Sequence, residues 1–309
     1  MSPSVKTALH SVSYAGVWPG QARLGLDDFL QRARTLGFDA VMLMAKRPHL
    51  SLLDCDAEER RRLRRRLESL DLKVACLAGY TDFCMGGDHP EIPTREMQIL
   101  YVGELARLAR DLDCRLVRVF TGYEYAGVPL EQQWHWCVSS LRECARKAAE
   151  FGVTVGIQNH HDTAVHYEEL LSLIQEIGAA NCKVMFDAWS HAPVEKAAEA
   201  GGRRELTDLR QAVKKLAPYI VHTTVADYVH WPRYRYQPNL VNYERQTDAL
   251  RAVPMGEGCI DYKTFFEALK ENGFDGYVAY EMCSPLRGGG SEENLDRCAR
   301  QFLDYMSHW

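Results

Sequence analysis

The stretch that decides the fold is "FGVTVGIQNHHDTAVHYEELLSLIQEIGAANCKVMFD", residues 151–187. It begins with a short apolar run, "VTVGIQN", that ends in five consecutive polar residues, 158–162. A segment of helical period follows over 167–177, with apolar residues three and four apart. A second β-rich run, "CKVMFD", then stops on an aspartate. Strand, helix and strand in this order predict a βα unit around a parallel sheet.

The same unit recurs toward both ends of the chain. "KTALHSVS", "AVMLMA", "KVACLAG" and "CRLVRVF" come before it, and "YIVHTTVA" and "YVAYEM" come after, which makes eight strands. Amphipathic segments at 27–36, 57–70, 95–112, 130–151 and 264–272 lie between them. Glycines in "LGFDA", "FGVTV" and "NGFDGY" stand where helices hand over to strands, the usual place for a residue of positive φ. Eight units without an intervening linker predict one α/β domain over 1–309, a closed (β/α)₈ TIM barrel. No Gly-x-Gly-x-x-Gly follows any strand, which argues against two dinucleotide-binding halves.

One excursion breaks the rhythm. Residues 227–258, containing "YVHWPRYRYQPNLVNY", are too long for an ordinary connection and read as a long loop inserted after the seventh strand. It serves equally as a substrate lid, an aromatic plug or a homo-oligomer contact, and Trp231 within it is a candidate for stacking on a sugar face.

The 309 residues are about half hydrophobic and a quarter charged, an ordinary globular composition. A net charge of −5 gives no global field toward nucleic acid or an anionic membrane, so a small carbohydrate is the easier partner. The arginine-rich run "ERRRLRRRLE" keeps Leu63, Leu67 and Leu70 at helical spacing and reads as a solvated helix face. Ten scattered cysteines with no Cys-x-x-Cys pair fit reduced thiols in the cytoplasm. No export signal or membrane span is visible.

In such a barrel the site lies at the C-terminal mouth, so ionisable residues closing strands are the functional candidates. The fifth strand ends in Gln158, Asn159, His160 and His161; the sixth in Asp187, with His191 soon after; the seventh carries His222 and Asp227; the eighth ends in Glu281. Carboxylates and imidazoles with extra oxygen donors suit one divalent ion such as Mn²⁺, Mg²⁺, Co²⁺ or Zn²⁺.

The strand-end series, with "VPMGEGCIDYKTFFEALKENGFDGYVAYE", resembles the sugar phosphate isomerase/epimerase family of xylose-isomerase-like barrels over almost the whole chain. In that family one divalent ion is commonly held by a Glu on a middle strand, an Asp on the next, a His on the seventh and a Glu on the last. The resemblance therefore implies a metal set of Gln158, Asp187, His222 and Glu281. Two positions depart from the pattern. Gln158 replaces the usual Glu, and Thr224 occupies the place of the usual His, with His222 on the same face one layer deeper. A glutamine carbonyl can still donate an oxygen, yet it brings no charge and cannot act as a base.

The chemistry so implied is proton abstraction beside the carbonyl of a sugar or keto-sugar, with Glu281, His160 and His161 as the catalytic groups. Asymmetric acid and base suit β-elimination equally, so a carbohydrate lyase or dehydratase is the alternative. A non-catalytic sugar-binding barrel with a degenerate site is the second. Lys46 and His49 in "MAKRPHLS", His191, Trp231, and Arg287 in "CSPLRGGGSEENLD" are the substrate-binding candidates. Ser291 is expected to cap the last helix, where Glu292 and Glu293 would repel a phosphate.

Overall fold

The computed structural model describes residues 5–87, 89, 91–191, 208–282 and 285–309. Seven parallel strands come first: β1 (Lys6–His10), β2 (Ala40–Met44), β3 (Lys73–Ala78), β4 (Leu116–Val119), β5 (Thr154–Gln158), β6 (Cys182–Met185) and β7 (Ile220–Val225). After β8 (Asp227–Gln237) and β9 (Asn242–Val253), β10 (Tyr277–Tyr280) pairs with both β7 and β1 and closes the barrel. Each of the eight predicted strands is a stave.

The helices are α1 (Leu26–Leu36), α2 (Ala57–Ser69), α3 (Thr94–Asp111), α4 (Leu130–Ala149), α5 (Tyr167–Ile177), α6 (Leu209–Leu216), α7 (Tyr262–Glu271) and α8 (Glu292–Met306). Gly37 ends α1 at φ 98°, its N–H bonded to Ala33 O and Arg34 O, which explains the glycine in "LGFDA". Ser291 accepts from Asn294 N–H and caps α8 as expected. The arginines of α2 face outward into ion pairs, Arg62 with Asp27 and Glu59 and Arg60 with Asp111. No helix among the described residues is long and apolar enough to cross a membrane.

Two apolar layers position the site. The larger lies between staves and helices and takes in Phe29, Leu63, Leu105, Leu141, Leu170, Phe265 and Phe302. The smaller fills the barrel floor with Ala8, Met42, Cys76, Leu116, Met185 and Ala279. Gly156 belongs to this floor because a Cβ there would stand 2.9 Å from Met185 Cγ. Side chains two residues further along a strand point the same way, so the next layer up is set by the same pleat. That layer holds His10, Arg118, Gln158, Asp187, Thr224 and Glu281, while Met44 on β2 and Ala78 on β3 keep its remaining side apolar.

Residues 227–258, expected as a long inserted loop, contain a two-stranded antiparallel ribbon, β8 with β9, paired from Asp227↔Val253 to Gln237↔Asn242 with a shift of register between Trp231 and Arg233. Tyrosines at 228, 234, 236 and 243 supply the β propensity that makes a ribbon rather than a loop here.

Candidate active site at the barrel mouth

The polar layer is organised by one chain of hydrogen bonds. Arg118 Nη1 on β4 donates to Gln158 Oε1 on β5 at 2.9 Å. Gln158 Nε2 donates onward to Asp187 Oδ2 at 2.9 Å and to Thr224 Oγ1 on β7 at 3.0 Å. The Thr224 hydroxyl also lies 3.4 Å from Asp187 Oδ2, and Asp187 Oδ1 accepts from Trp189 N–H at 2.9 Å. Asn159 fixes the backbone beneath by bonding both the N–H and the carbonyl of Asp187.

This chain explains the glutamine. A guanidinium only donates and a carboxylate only accepts, so the residue between them must accept on one side and donate on the other. An amide does both, and a glutamate would turn a second carboxylate toward Asp187. Burial raises Asp187 to about 6 despite the three donors it receives and the charge of Arg118.

Glu281 follows β10, two staves from Asp187, with its backbone N–H on Val225 O and its carboxylate 3.8 Å from His10 Nε2. Burial, and then the charge of Arg118, push His10 well below the usual histidine range, so a neutral imidazole stands beside this carboxylate.

Beside the Asp187 end lies a cavity of about 410 Å³ walled by Asn159, His160, His161, Trp189, Tyr228 and His230. The base of the ribbon thus contributes one wall of the cleft.

The family described as "Xylose isomerase-like TIM barrel" matches the chain over residues 30–303. The chain belongs to this family. Among curated relatives, L-ribulose-5-phosphate 3-epimerase UlaE of Shigella boydii serotype 18 is 23% identical over 273 residues, covering 82% of this chain and 81% of that protein. Two solved structures share the fold. L-ribulose 3-epimerase has a TM-score of 0.71 at 17% identity, with 98% of this chain and 95% of that one covered. 3-keto-D-glucoside 4-epimerase, YcjR, from E. coli has 0.69 at 17% identity, covering 99% and 100%.

The divalent-ion set that the family resemblance implies does not fit this arrangement. Gln158 gives its only ligating oxygen to Arg118, and Thr224 shares its hydroxyl with Gln158 and Asp187. His222 lies one layer deeper, level with Met185 and Tyr277, and its Nε2 bonds to nothing among the described residues. Burial pushes His222 down to about 3. Among the described residues no three His, Cys, Asp or Glu side chains gather as a metal site. The guanidinium of Arg118 already supplies a positive charge in contact with the acceptor an ion would use.

His160 and His161 both line the cleft, but as walls. The His160 ring stacks on Trp189 and its Nδ1 accepts from His161 N–H, while the His161 ring stacks on Tyr123. Burial takes each down to about 4, so both are neutral and weakly basic at physiological pH, poorly matched to general acid–base work.

The remaining candidates separate. Lys46 reaches the site, its ammonium 3.9 Å from the centre of the Tyr80 ring. His49 is tied to the helical layer instead, with Nε2 3.1 Å from Leu24 O and its ring stacked on Phe29 of α1. Trp231 points off the cleft, because Tyr228 and His230 take the inward positions of β8 and alternation turns residue 231 outward, half exposed. Arg287 is paired with Glu257. His191 closes a short 3₁₀ turn, and its side chain lies outside the described residues. Asp227 serves architecture, accepting N–H groups from Tyr228, Gly256 and Gly258 and so pinning the turn that follows the ribbon.

Sequence reasoning missed Arg118 and passed over His10. A signal for Arg118 existed: a charge inside the apolar run "CRLVRVF" is rarely buried without a partner.

Proposed function

We propose that this chain is an enzyme that interconverts isomers or epimers of a sugar or keto-sugar by moving a proton on the carbon beside a carbonyl. Glu281 is the group that takes that proton; its return to the adjoining former carbonyl carbon gives an isomer, whereas an epimer requires a second donor on the opposite face. The observation that carries this reading is the division of labour between the two acids of the polar layer. Asp187 accepts three hydrogen bonds and is fixed in place. Glu281 stands at the mouth with its side chain 12% exposed, within reach of a molecule entering the barrel. The sugar epimerases among the relatives support the reaction class, and the stacked walls of Trp189, Tyr123 and Tyr228 suit the apolar face of a sugar ring.

An unphosphorylated substrate fits best. The first turn of α8 already carries Glu292 and Glu293, and Arg287 is neutralised by Glu257.

The experiment is incubation with a panel of free ketoses, keto-glycosides and sugar phosphates in deuterated solvent, followed by NMR and mass spectrometry. Deuterium at the carbon next to the carbonyl, with appearance of an isomer, is the expected result for at least one free sugar. Glu281→Gln should slow that exchange by about 10²–10⁴-fold, the usual contribution of a positioned base. Loss of water without exchange would assign elimination in its place, and exchange that survives Glu281→Gln unchanged would remove Glu281 from the reaction.

A further inference from the structure

Two donors of one arginine inside the barrel are left over. The Arg118 side chain is 2% exposed, and while Nη1 bonds Gln158, Nε and Nη2 have no hydrogen-bond partner among the described residues. The guanidinium is held between rings, 3.8 Å from the Phe120 centroid and 4.7 Å from that of Tyr80. It is therefore fixed in orientation, with one edge spent on Gln158 and two donor positions unmet. Buried donors of a charged group are costly to leave unsatisfied, and a site that keeps them so is prepared for an acceptor that the chain does not supply.

We propose that Arg118 replaces the divalent ion of this barrel family, and that Nε and Nη2 receive the carbonyl oxygen of the substrate and the enediolate oxygen that forms from it. The inference rests on the proton-transfer reading above for the identity of that oxygen. As Glu281 takes the proton, the C–H electron pair becomes the new C=C bond and the carbonyl π pair moves onto oxygen. No oxidant or further reactant is needed: the hydroxyl proton passes to the former carbonyl oxygen, and delivery of the carbon-bound proton to the former carbonyl carbon leaves a new carbonyl on its neighbour, which is the isomer. A guanidinium with two parallel N–H groups suits such an oxygen because it is permanently charged and already oriented.

The substitution of Gln158 for glutamate follows from the same exchange. With an ion at the centre, a carboxylate on β5 is useful; with a guanidinium on β4 aimed at β5 and an aspartate on β6, only an amide satisfies both. Thr224 completes the change, since a hydroxyl can accept from that amide while remaining beside Asp187.

The test uses the full chain and two probes. Chelator-treated protein is titrated with Mn²⁺ alone, read by paramagnetic resonance, and separately with oxalate, a planar stand-in for an enediolate, read by calorimetry in the presence of EDTA. The expected results are no stoichiometric Mn²⁺ site and oxalate binding that EDTA leaves unchanged. Arg118→Met should weaken oxalate by about 10–100-fold, the range for a hydrogen bond to a charged group, with Arg118→Lys falling between. One tightly held Mn²⁺ per wild-type chain, lost in Asp187→Asn, would overturn the proposal without any need for the Arg118 variants to fold. Failure of oxalate to bind wild-type protein would overturn it as well. The two readings fail separately: turnover by a Mn²⁺-loaded protein would keep the isomerase and remove the arginine, whereas EDTA-resistant, Arg118-dependent oxalate binding with no active sugar would do the reverse.

Discussion

The amide of Gln158 makes a sharp prediction, because the glutamate that the family resemblance leads one to expect at this position should harm this protein. In Gln158→Glu, the Nε2 that now lies 2.9 Å from Asp187 Oδ2 becomes a carboxylate oxygen. Two unit charges at that separation repel by about 6 kcal/mol at an effective dielectric constant near 20. The contact with Arg118, also 2.9 Å, gains a similar amount, so the two Coulomb effects nearly cancel. What remains is the loss of two donors, to Asp187 and to Thr224, at about 1–3 kcal/mol each for buried acceptors. The variant should therefore lose about 2–6 kcal/mol of stability at pH 8. Asp187 already sits at about 6, and a second carboxylate beside it raises the affinity of the pair for a proton, so the deficit should shrink at pH 5, where the pair holds one. Urea unfolding at both pH values measures this, with Gln158→Met as the variant that removes the bonds without adding charge. A Gln158→Glu protein as stable as wild type at pH 8, or one whose deficit grows on acidification, would refute the bridging role of the amide.

Further expectations concern the layer below and the acid limb. Gly156→Ala places a methyl 2.9 Å from Met185 Cγ and should cost about 1–3 kcal/mol in urea unfolding, with a smaller cost when combined with Met185→Ala. Five histidines are pushed toward the neutral form by burial, His160 and His161 to about 4, His222 to about 3, and His10 and His49 also below the ordinary value. The unfolded chain binds their protons near the ordinary value of about 6.5, so stability is present above that pH and is lost as the pH falls toward the folded values. Asp187 and Asp227, both raised by burial, work in the opposite sense, because the folded state takes their protons first, but they are two groups against five. Thermal unfolding should accordingly weaken between pH 7 and pH 4.5, and His222→Gln should flatten that dependence; a profile unchanged by the substitution would contradict the burial of a neutral imidazole there.

Much of the architecture was legible without coordinates because it rests on local periodicity. The eight strands, the helix stops at Gly37, Gly152 and Gly273, and the cap at Ser291 each follow from a short run of residues whose pattern has one economical solution. The ribbon at 227–253 was legible only as an excursion, since pairing between β8 and β9 depends on contacts across the turn. The site was legible in part for a different reason: placing Gln158, Asp187 and Glu281 at strand ends requires only the pleat and the direction of the chain.

By itself, the sequence determined that this is a parallel barrel and that its mouth is polar, because side-chain alternation and helix spacing are properties of neighbouring residues. The tertiary structure alone decided which groups meet there. Arg118, Gln158, Asp187 and Thr224 come from four different staves, and their bonding order is a matter of donor and acceptor complementarity across the barrel, which no single segment encodes. It likewise decided that His49 and Trp231 turn away from the cleft while Tyr228 turns in, because the direction of a side chain past the end of a strand is set by what packs against it.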